Sequence, residues 1–451
     1  MTTNTDQTTG PNVLFVLTDQ QSADAMSCAG SDYVETPAMD RLADRGVRFT
    51  DTYCTQPLCN PSRASLFSGR MPHEVGASDN NSEIDERYRD EELGRLFDDA
   101  GYDCAYGGKW HVPEMTLPDE HGFETLQGMN DLTLADNCID FLDRDRDDPF
   151  FLVASFDNPH NICEVARNEN LPWGNVESVP TEECPDLPKN YGIPPFEPSE
   201  IRTLMEASRP SGLSGNMVDA TAEEWRHYRH AYFRLVEKVD AEIGELLDAL
   251  DERGLTENTV IVFTSDHGEL NGAHQLEQKC WGYEESVRVP FIVSYPGETL
   301  EGETDDHLVS NGLDVLPTLC DYADITPPDD LDGKSVRPLA AGQDTEWRDQ
   351  VVVQTNIQLG GRVVRTDRYK YIVYERGRQR EQLFDLRNDP GEMVDLSENA
   401  EYGDVLAEHR ERLFEWCVEH DDAFGANPQY PMVPQIPGFN PPDAIDRVRS
   451  E

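Results

Sequence analysis

Four short runs of mostly apolar residues each end in a group of polar side chains. The runs cover residues 12–17, 103–106, 150–156 and 259–263. They do not alternate between apolar and polar positions, and such strands are typical of a parallel sheet that is covered on both faces. We therefore predict four buried strands of one sheet.

Helical patterns separate these strands. Thr36 and Pro37 suit the N-cap and first turn of a helix that runs to about residue 45. Further helices are predicted over residues 90–100 and, roughly, 225–252. The alternation predicts an α/β fold with a mostly parallel sheet sandwiched by helices. Ligands bind such sheets at the carboxyl ends of the strands.

The pattern changes near residue 346. Short antiparallel strands are predicted over residues 351–355, 361–366, 369–374 and 382–385, followed by a helix near 402–420 and a proline-rich tail. We predict a larger catalytic domain over residues 11–345. A smaller α+β domain, with an antiparallel sheet, would cover residues 346–451. Residues 161–222 show little periodicity and are expected to form a long loop over the site.

The chain is strongly acidic. Its 451 residues include 89 acidic and 37 basic side chains, for a formal net charge of −52, and only 6 of the basic residues are Lys. No basic stretch offsets the acid, which excludes a nucleic-acid binder that neutralises phosphates. In molar salt the Debye length falls to about 3 Å and most self-repulsion disappears. We expect a haloarchaeal-like protein from a salt-filled cytoplasm, with a merely acidic protein as the alternative.

Other features bear on the cellular setting. No run of about 18 apolar residues occurs, so we expect no transmembrane helix and no membrane partner. The first residues lack a basic n-region and a cleavage site, which predicts a cytoplasmic protein. The ten cysteines include no CxxC pair and are expected to be mostly reduced, buried thiols. The sequence makes no prediction of oligomeric state.

One cysteine stands in a chemically suggestive position. Cys59 begins Cys-Asn-Pro-Ser-Arg, and Pro61 suits the first turn of a helix, so Cys59 is expected at a helix N-terminus. The helix dipole lowers the pKa of a thiol there. Arg63 is near enough to hold a nucleophile or an oxyanion. A structural cysteine is the alternative.

The same residues carry a family resemblance. Cys59, Pro61, Ser62 and Arg63 match C-x-P-S-R, and here the chain resembles the formylglycine-dependent sulfatases of the alkaline-phosphatase superfamily. The resemblance covers residues 12 to about 396. It implies that Cys59 is oxidised to formylglycine by a formylglycine-generating enzyme, the partner it requires.

The resemblance also implies a metal site. Asp19, Gln20, Asp266 and His267 look like the family's metal ligands, with Cys59 as the modified fifth. Oxygen ligands favour Ca²⁺ as the single divalent metal. Gln20 and His267 depart from the common Asp-Asp and Asp-Asn pairs and admit Mn²⁺ as the alternative. Capping of the turns after two strands is the non-metal interpretation.

Further candidates lie in three short motifs. Lys109 and His111 occur in Gly-Lys-Trp-His, His160 occurs in Asn-Pro-His, and Lys279 precedes Tyr-Glu-Glu-Ser. By resemblance, the two lysines would hold sulfate oxygens, His111 would position the formylglycine diol and His160 would be the general acid. His274 could reach the substrate or simply end a loop.

These expectations lead to one function and two alternatives. The leading hypothesis is a sulfatase that hydrolyses a sulfate ester, or a sulfamate, of a carbohydrate or small organic molecule. By resemblance, one hydroxyl of the hydrated aldehyde attacks sulfur, and the other then loses its proton as sulfate leaves. A phosphodiesterase or phosphonate monoester hydrolase on the same scaffold is the second hypothesis. A non-catalytic binding protein with unmodified Cys59 is the third.

Overall fold

A computed structural model describes residues 10–111, 117–209, 215–356 and 359–426. The described residues form three sheets, of eight, two and four strands. In chain order the strands are β1 (Asn12–Asp19), β2 (Val47–Phe49), β3 (Thr52–Tyr53), β4 (Asp103–Gly108), β5 (Glu124–Gln127), β6 (Phe150–Pro159), β7 (Thr259–Ser265), β8 (Phe291–Ser294), β9 (Glu303–Asp305), β10 (Val309–Ser310), β11 (Gln350–Thr355), β12 (Gly361–Thr366), β13 (Tyr369–Tyr374) and β14 (Glu381–Asp385).

Helices lie between the strands and after the last sheet. They are α1 (Pro37–Arg45), α2 (Cys59–Ser68), α3 (Leu93–Asp99), α4 (Leu134–Leu142), α5 (Ile162–Ala166), α6 (Ser199–Ser208), α7 (Ala222–Glu252), α8 (Glu284–Val287), α9 (Asn311–Ala323), α10 (Arg337–Ala340) and α11 (Gly403–Glu419). Among the described helices, none is both long and apolar enough to cross a membrane.

The large sheet has the strand order β5-β4-β6-β1-β7-β8-β2-β9. Its pairs are parallel except for β7 with β8 and β2 with β8. On β1, Leu14 and Val16 face a core formed with α1, α4 and α7. Val13 and Phe15 face the opposite core, formed with α2, α3 and α9. Both faces of the strand are therefore covered, which explains its unalternated sequence and confirms the predicted α/β fold.

The four-stranded sheet is antiparallel, in the order β11-β12-β13-β14, as predicted. Helix α11 packs on one face, with Leu413 and Trp416 against Tyr371 and Leu383. The other face shares a core with loops of the large sheet, including Trp281. The domain boundary at residues 345 and 346 stays a prediction. The predicted proline-rich tail lies outside the described residues.

Some predicted elements differ from those observed. The helix predicted over residues 90–100 begins only at Leu93, because a 3₁₀ turn, Glu86–Glu91, precedes it. The long loop region predicted over residues 161–222 also contains two helices, α5 and α6, which the prediction missed. Only Ile201 and Met205 of α6 are buried, so its apolar face was too narrow to reveal a helix in the sequence. Residues 210–214 of the segment lie outside the described part of the chain.

Candidate active site

Polar side chains from four adjacent strands meet at one edge of the large sheet. Strands β4, β6, β1 and β7 are neighbours and run parallel, so their carboxyl ends lie side by side. Asp19 ends β1, Lys109 follows β4, and Asp266 follows β7. Cys59 begins α2 beside this edge. The sheet therefore brings together groups that are up to about 250 positions apart in the chain.

Four potential cation ligands form a compact buried cluster. One atom each of Asp19, Cys59, Asp266 and His267 lies within 4.8 Å of the others. The neutral form of His267, with its proton on Nδ1 donated to the carbonyl oxygen of Gly268, 3.0 Å away, would keep the Nε2 lone pair for a cation. Nε2 lies 3.3 Å from Cys59 Sγ, the atom that a formylglycine oxygen would replace. Two carboxylates, an imidazole nitrogen and this oxygen fit a divalent cation that accepts mixed ligands.

Arg63 forms ion pairs with two of the cluster's carboxylates. Its side chain is fully buried, and its Nε donates to Asp266 Oδ2 at 2.8 Å. Its Nη2 lies 3.3 Å from Asp19 Oδ2, and Nη1 donates to the carbonyl oxygen of Lys109 at 2.7 Å. These contacts give Arg63 a positioning role toward the carboxylates, whereas the sequence suggested that it holds the nucleophile or an oxyanion.

Two lysines set the electrostatics around Cys59. The Nζ atom of Lys279 lies 3.5 Å from Sγ, and that of Lys109 lies 2.8 Å from Asp19 Oδ2. Burial and Asp19 raise the pKa of Cys59, but Lys279, Lys109 and the protonated form of His267 outweigh them and hold it well below its ordinary value. Burial likewise raises the pKa of Asp19, and Lys109 is the first of several cations that bring it well below its usual range. The site is therefore arranged to stabilise negative charge.

A chain of hydrogen bonds fixes Lys279 from the side opposite Cys59. Lys279 Nζ donates to Gln20 Oε1, and Gln20 Nε2 donates to Glu269 Oε2 at 2.6 Å. Glu269 Oε1 accepts from Tyr228 Oη at 3.0 Å and from two main-chain amides of its own loop. Gln20, predicted as a metal ligand, thus lies beside the cluster with its oxygen turned to Lys279. Glu269 was not a candidate; its place two residues after His267 was the only signal in the sequence.

A cleft of about 640 Å³ opens above the cluster, and Cys59, Lys109, His111 and His160 line it. His111 is half-buried at the end of β4 with a left-handed backbone, φ 51°. His160 Nδ1 lies 4.0 Å from Asp157 Oδ1. The cleft therefore gathers Lys109, His111 and His160, whereas Lys279 is not one of the described residues that line it.

Asp157 accepts hydrogen bonds from three side chains on this wall of the cleft. It was not among the candidates. Its carboxylate accepts from Lys109 Nζ at 2.9 Å, Trp173 Nε1 at 2.9 Å and Asn161 Nδ2 at 2.5 Å. Burial raises the pKa of Asp157, but Lys109 and His160 lower it to about 2. Its position after the apolar part of β6 was a usable signal, since strand ends carry the site. His274, whose role was open, is not one of the described residues that line the cleft.

Comparison with known proteins adds to this geometry. A family model described as Sulfatase matches residues 11–325, and one described as N-sulphoglucosamine sulphohydrolase, C-terminal, matches residues 272–419. A delta 4,5-hexuronate-2-O-sulfatase of Bacteroides thetaiotaomicron is 30% identical, over 92% of this chain and 90% of that protein. An N-acetylglucosamine-6-O-sulfatase of the same organism is 26% identical, over 92% of this chain and 88% of that protein.

Solved structures show the same relationship. A structure described as a 2-O GAG sulfatase has a TM-score of 0.82 and 29% identity, and the match covers 92% of this chain and 94% of the other. The Sulfatase model alone spans more than half of the 451 residues. The chain therefore belongs to the sulfatase family and is a sulfuric ester hydrolase.

Proposed function

We propose that the protein hydrolyses a sulfate ester of a carbohydrate to the alcohol and inorganic sulfate, with formylglycine derived from Cys59. The main support is the burial of Cys59 Sγ beside His267 and Lys279, at the floor of a cleft. The names of the two Bacteroides relatives refer to sulfated sugars, which supports a carbohydrate as the alcohol.

The chemistry divides between the modified residue, a cation and the protein's own side chains. Hydrated formylglycine supplies the nucleophilic hydroxyl, and a bound divalent cation, Ca²⁺ or alternatively Mn²⁺, polarises a sulfate oxygen. Asp19, Asp266 and His267 would hold that cation, since their ligand atoms cluster around Cys59. Gln20 borders this set.

The remaining candidates would act on the sulfate and the departing oxygen. The ammonium groups of Lys109 and Lys279 flank the cluster, so each can neutralise a sulfate oxygen as a point charge. His160 stands on the cleft wall between Asp157 and the open space, where it can give a proton to the leaving alcohol. His111, on the same wall, would position the diol.

Mass spectrometry tests the modification directly. The tryptic peptide of residues 49–63 contains both Cys54 and Cys59, so fragment ions must locate the change. In protein made together with a formylglycine-generating enzyme, we expect a loss of about 18 Da at Cys59 only. Two intact thiols in an active preparation would refute the formylglycine mechanism.

Activity measurements test the reaction and the substrate class. Cys59→Ala should abolish turnover, whereas Cys54→Ala, which removes a buried thiol from the same segment but not from the cluster, should remain active. A panel of sulfated monosaccharides, N-sulfated glucosamine and aryl sulfates should show faster turnover of sugar esters. Faster turnover of phosphonate monoesters or phosphodiesters with the same leaving group would assign the site to the second hypothesis. Near-normal activity of Cys59→Ala would refute the mechanism altogether.

A further inference from the structure

A second group of metal-binding side chains lies between the loop after β7 and the small C-terminal sheet. One atom each of His274, Glu285 and Glu392 lies within 4.8 Å of the other two. His274 and Glu392 are fully buried, and Glu285 is half-buried. This cluster is distinct from the one around Cys59, and its three residues do not line the catalytic cleft.

The imidazole of His274 has no hydrogen-bond partner among the described residues, although both ring nitrogens are buried. The ring stacks on Tyr283, with centroids 4.1 Å apart, and the main-chain N–H of His274 donates to the carbonyl oxygen of Asn190 at 2.8 Å. Burial, together with Lys370 and Arg202, lowers the pKa of His274 to about 3, so the ring is neutral and keeps a lone pair. Leaving such a group unpaired is unfavourable, and a ligand on a ring nitrogen would remove that cost.

The two carboxylates also have unused capacity. Glu285 Oε1 accepts from Asn190 Nδ2 at 2.7 Å, while Oε2 is buried without a partner among the described residues. Glu392 Oε1 lies 2.8 Å from Lys370 Nζ, but the same ammonium also pairs with Glu284 at 2.9 Å. One lysine therefore serves two carboxylates.

Glu284 also pairs with Arg288 at 3.2 Å, so among the described residues the carboxylates short of counter-charge are Glu285 and Glu392, with Glu392 sharing Lys370. Burial raises the pKa of Glu392 to about 8, with Glu284 and Glu285 adding to the increase against the opposing effect of Lys370. Glu285 has no ion pair within the described part of the chain, and burial raises its pKa as well.

We propose that His274, Glu285 and Glu392 bind a divalent transition-metal ion. One imidazole nitrogen and two carboxylate oxygens are a donor set that suits Zn²⁺ or Mn²⁺ better than Ca²⁺. Lys370 does not exclude the ion, because Glu284 remains its partner when the ion takes Glu392 Oε1. Glu285 also borders a separate cavity of about 550 Å³, through which an ion would reach the cluster.

The proposed ion would connect three parts of the fold. His274 belongs to the loop that also carries Lys279, Glu285 belongs to α8, and Glu392 follows β14 of the small sheet. Bound metal would therefore fasten the small sheet to the large one and restrain the loop that bears Lys279. This effect on stability does not depend on the formylglycine or on the cation near Cys59.

Metal stoichiometry tests the proposal. Full-length wild-type protein, His274→Ala and Glu392→Gln are stripped with a chelator, dialysed against Zn²⁺ and measured for bound metal. We expect the wild type to hold one more Zn²⁺ per chain than either variant. Zn²⁺ adsorbed on thiols is common to all three proteins and cancels in the comparison. His409→Ala, which removes a buried histidine that is hydrogen-bonded to Thr366, is the matched control and should retain the wild-type stoichiometry.

The remaining outcomes are also decisive. His267→Ala should lose a different ion, so that the double variant His267→Ala/His274→Ala loses both. If His274→Ala fails to fold, Glu392→Gln still gives the comparison, because its side chain keeps the same shape. A Zn²⁺ stoichiometry that is the same in the wild type and in Glu392→Gln, with an equal effect of Zn²⁺ on their Tm, would overturn the proposal.

Discussion

Replacing Glu269 by glutamine would keep the shape of the side chain but reverse the direction of a hydrogen-bond chain that ends near Cys59. Three donors converge on Glu269 Oε1, so the carbonyl oxygen of the new amide would stay there. Its NH₂ group would then face Gln20 Nε2, which now donates to Glu269 Oε2 at 2.6 Å. Two NH₂ groups cannot bond to each other, so the Gln20 amide must rotate. The rotated amide would present its own NH₂ to Lys279 and remove an acceptor from that ammonium.

The size of the effect follows from the lost bond. A hydrogen bond to a charged group contributes about 1.5–3 kcal/mol, and about 1.4 kcal/mol corresponds to a factor of ten. Lys279 Nζ lies 3.5 Å from Cys59 Sγ, so a misplaced ammonium weakens the stabilisation of charge at the reacting group. We expect Glu269→Gln to lower kcat/KM about 10- to 150-fold.

Steady-state kinetics on an aryl sulfate provide the assay, with formylglycine content checked by mass spectrometry so that only modified enzyme is counted. Glu277→Gln is the matched control. Glu277 is a buried carboxylate that accepts from the main-chain amides of Asn216 and Met217, each at 2.7 Å, and it does not bond to Gln20 or Lys279. Its variant should keep kcat/KM near that of the wild type. An unchanged kcat/KM in Glu269→Gln, or an equal loss in Glu277→Gln, would refute the reasoning.

Three further predictions concern the metal, acid and salt. His267→Ala should lower bound metal and activity together, because a nitrogen ligand leaves the cluster; unchanged metal content would remove His267 from the ligand set. Burial raises the pKa of Asp157, but Lys109 and His160 lower it from 3.8 to about 2. The ionised group therefore contributes about 2 kcal/mol of stability above its unfolded pKa, and this is lost as pH falls through about 2. Urea unfolding of Asp157→Asn should then depend less on pH in this range than that of the wild type, and identical profiles would contradict the assignment. Lowering salt from about 1 M to about 0.1 M increases the Debye length from about 3 Å to about 10 Å. Repulsion among the acidic side chains then increases, so Tm should fall; a constant Tm would exclude salt adaptation.

The sequence alone determined the fold class and the neighbourhood of the site. Strands β1 and β6 are covered on both faces, and this burial leaves an unalternated apolar run that can be read locally. The polar residues at the ends of such runs are also local signals, because the carboxyl ends of parallel strands share one edge. Cys59 and Pro61 marked the start of α2, because proline suits the first turn of a helix. These features depend on neighbouring residues only.

The tertiary structure decided which side chains meet. Arg63 contacts Asp266, 203 positions away, and Gln20 contacts Glu269, 249 positions away. Neither residue type nor spacing specifies such partners, because a buried carboxylate accepts from any donor that the fold brings within reach. Predictions for Arg63 and Gln20 therefore identified the right place but not their hydrogen bonds. Glu269 and the cluster around His274 became visible only when distant loops were packed together and their unpaired atoms could be located.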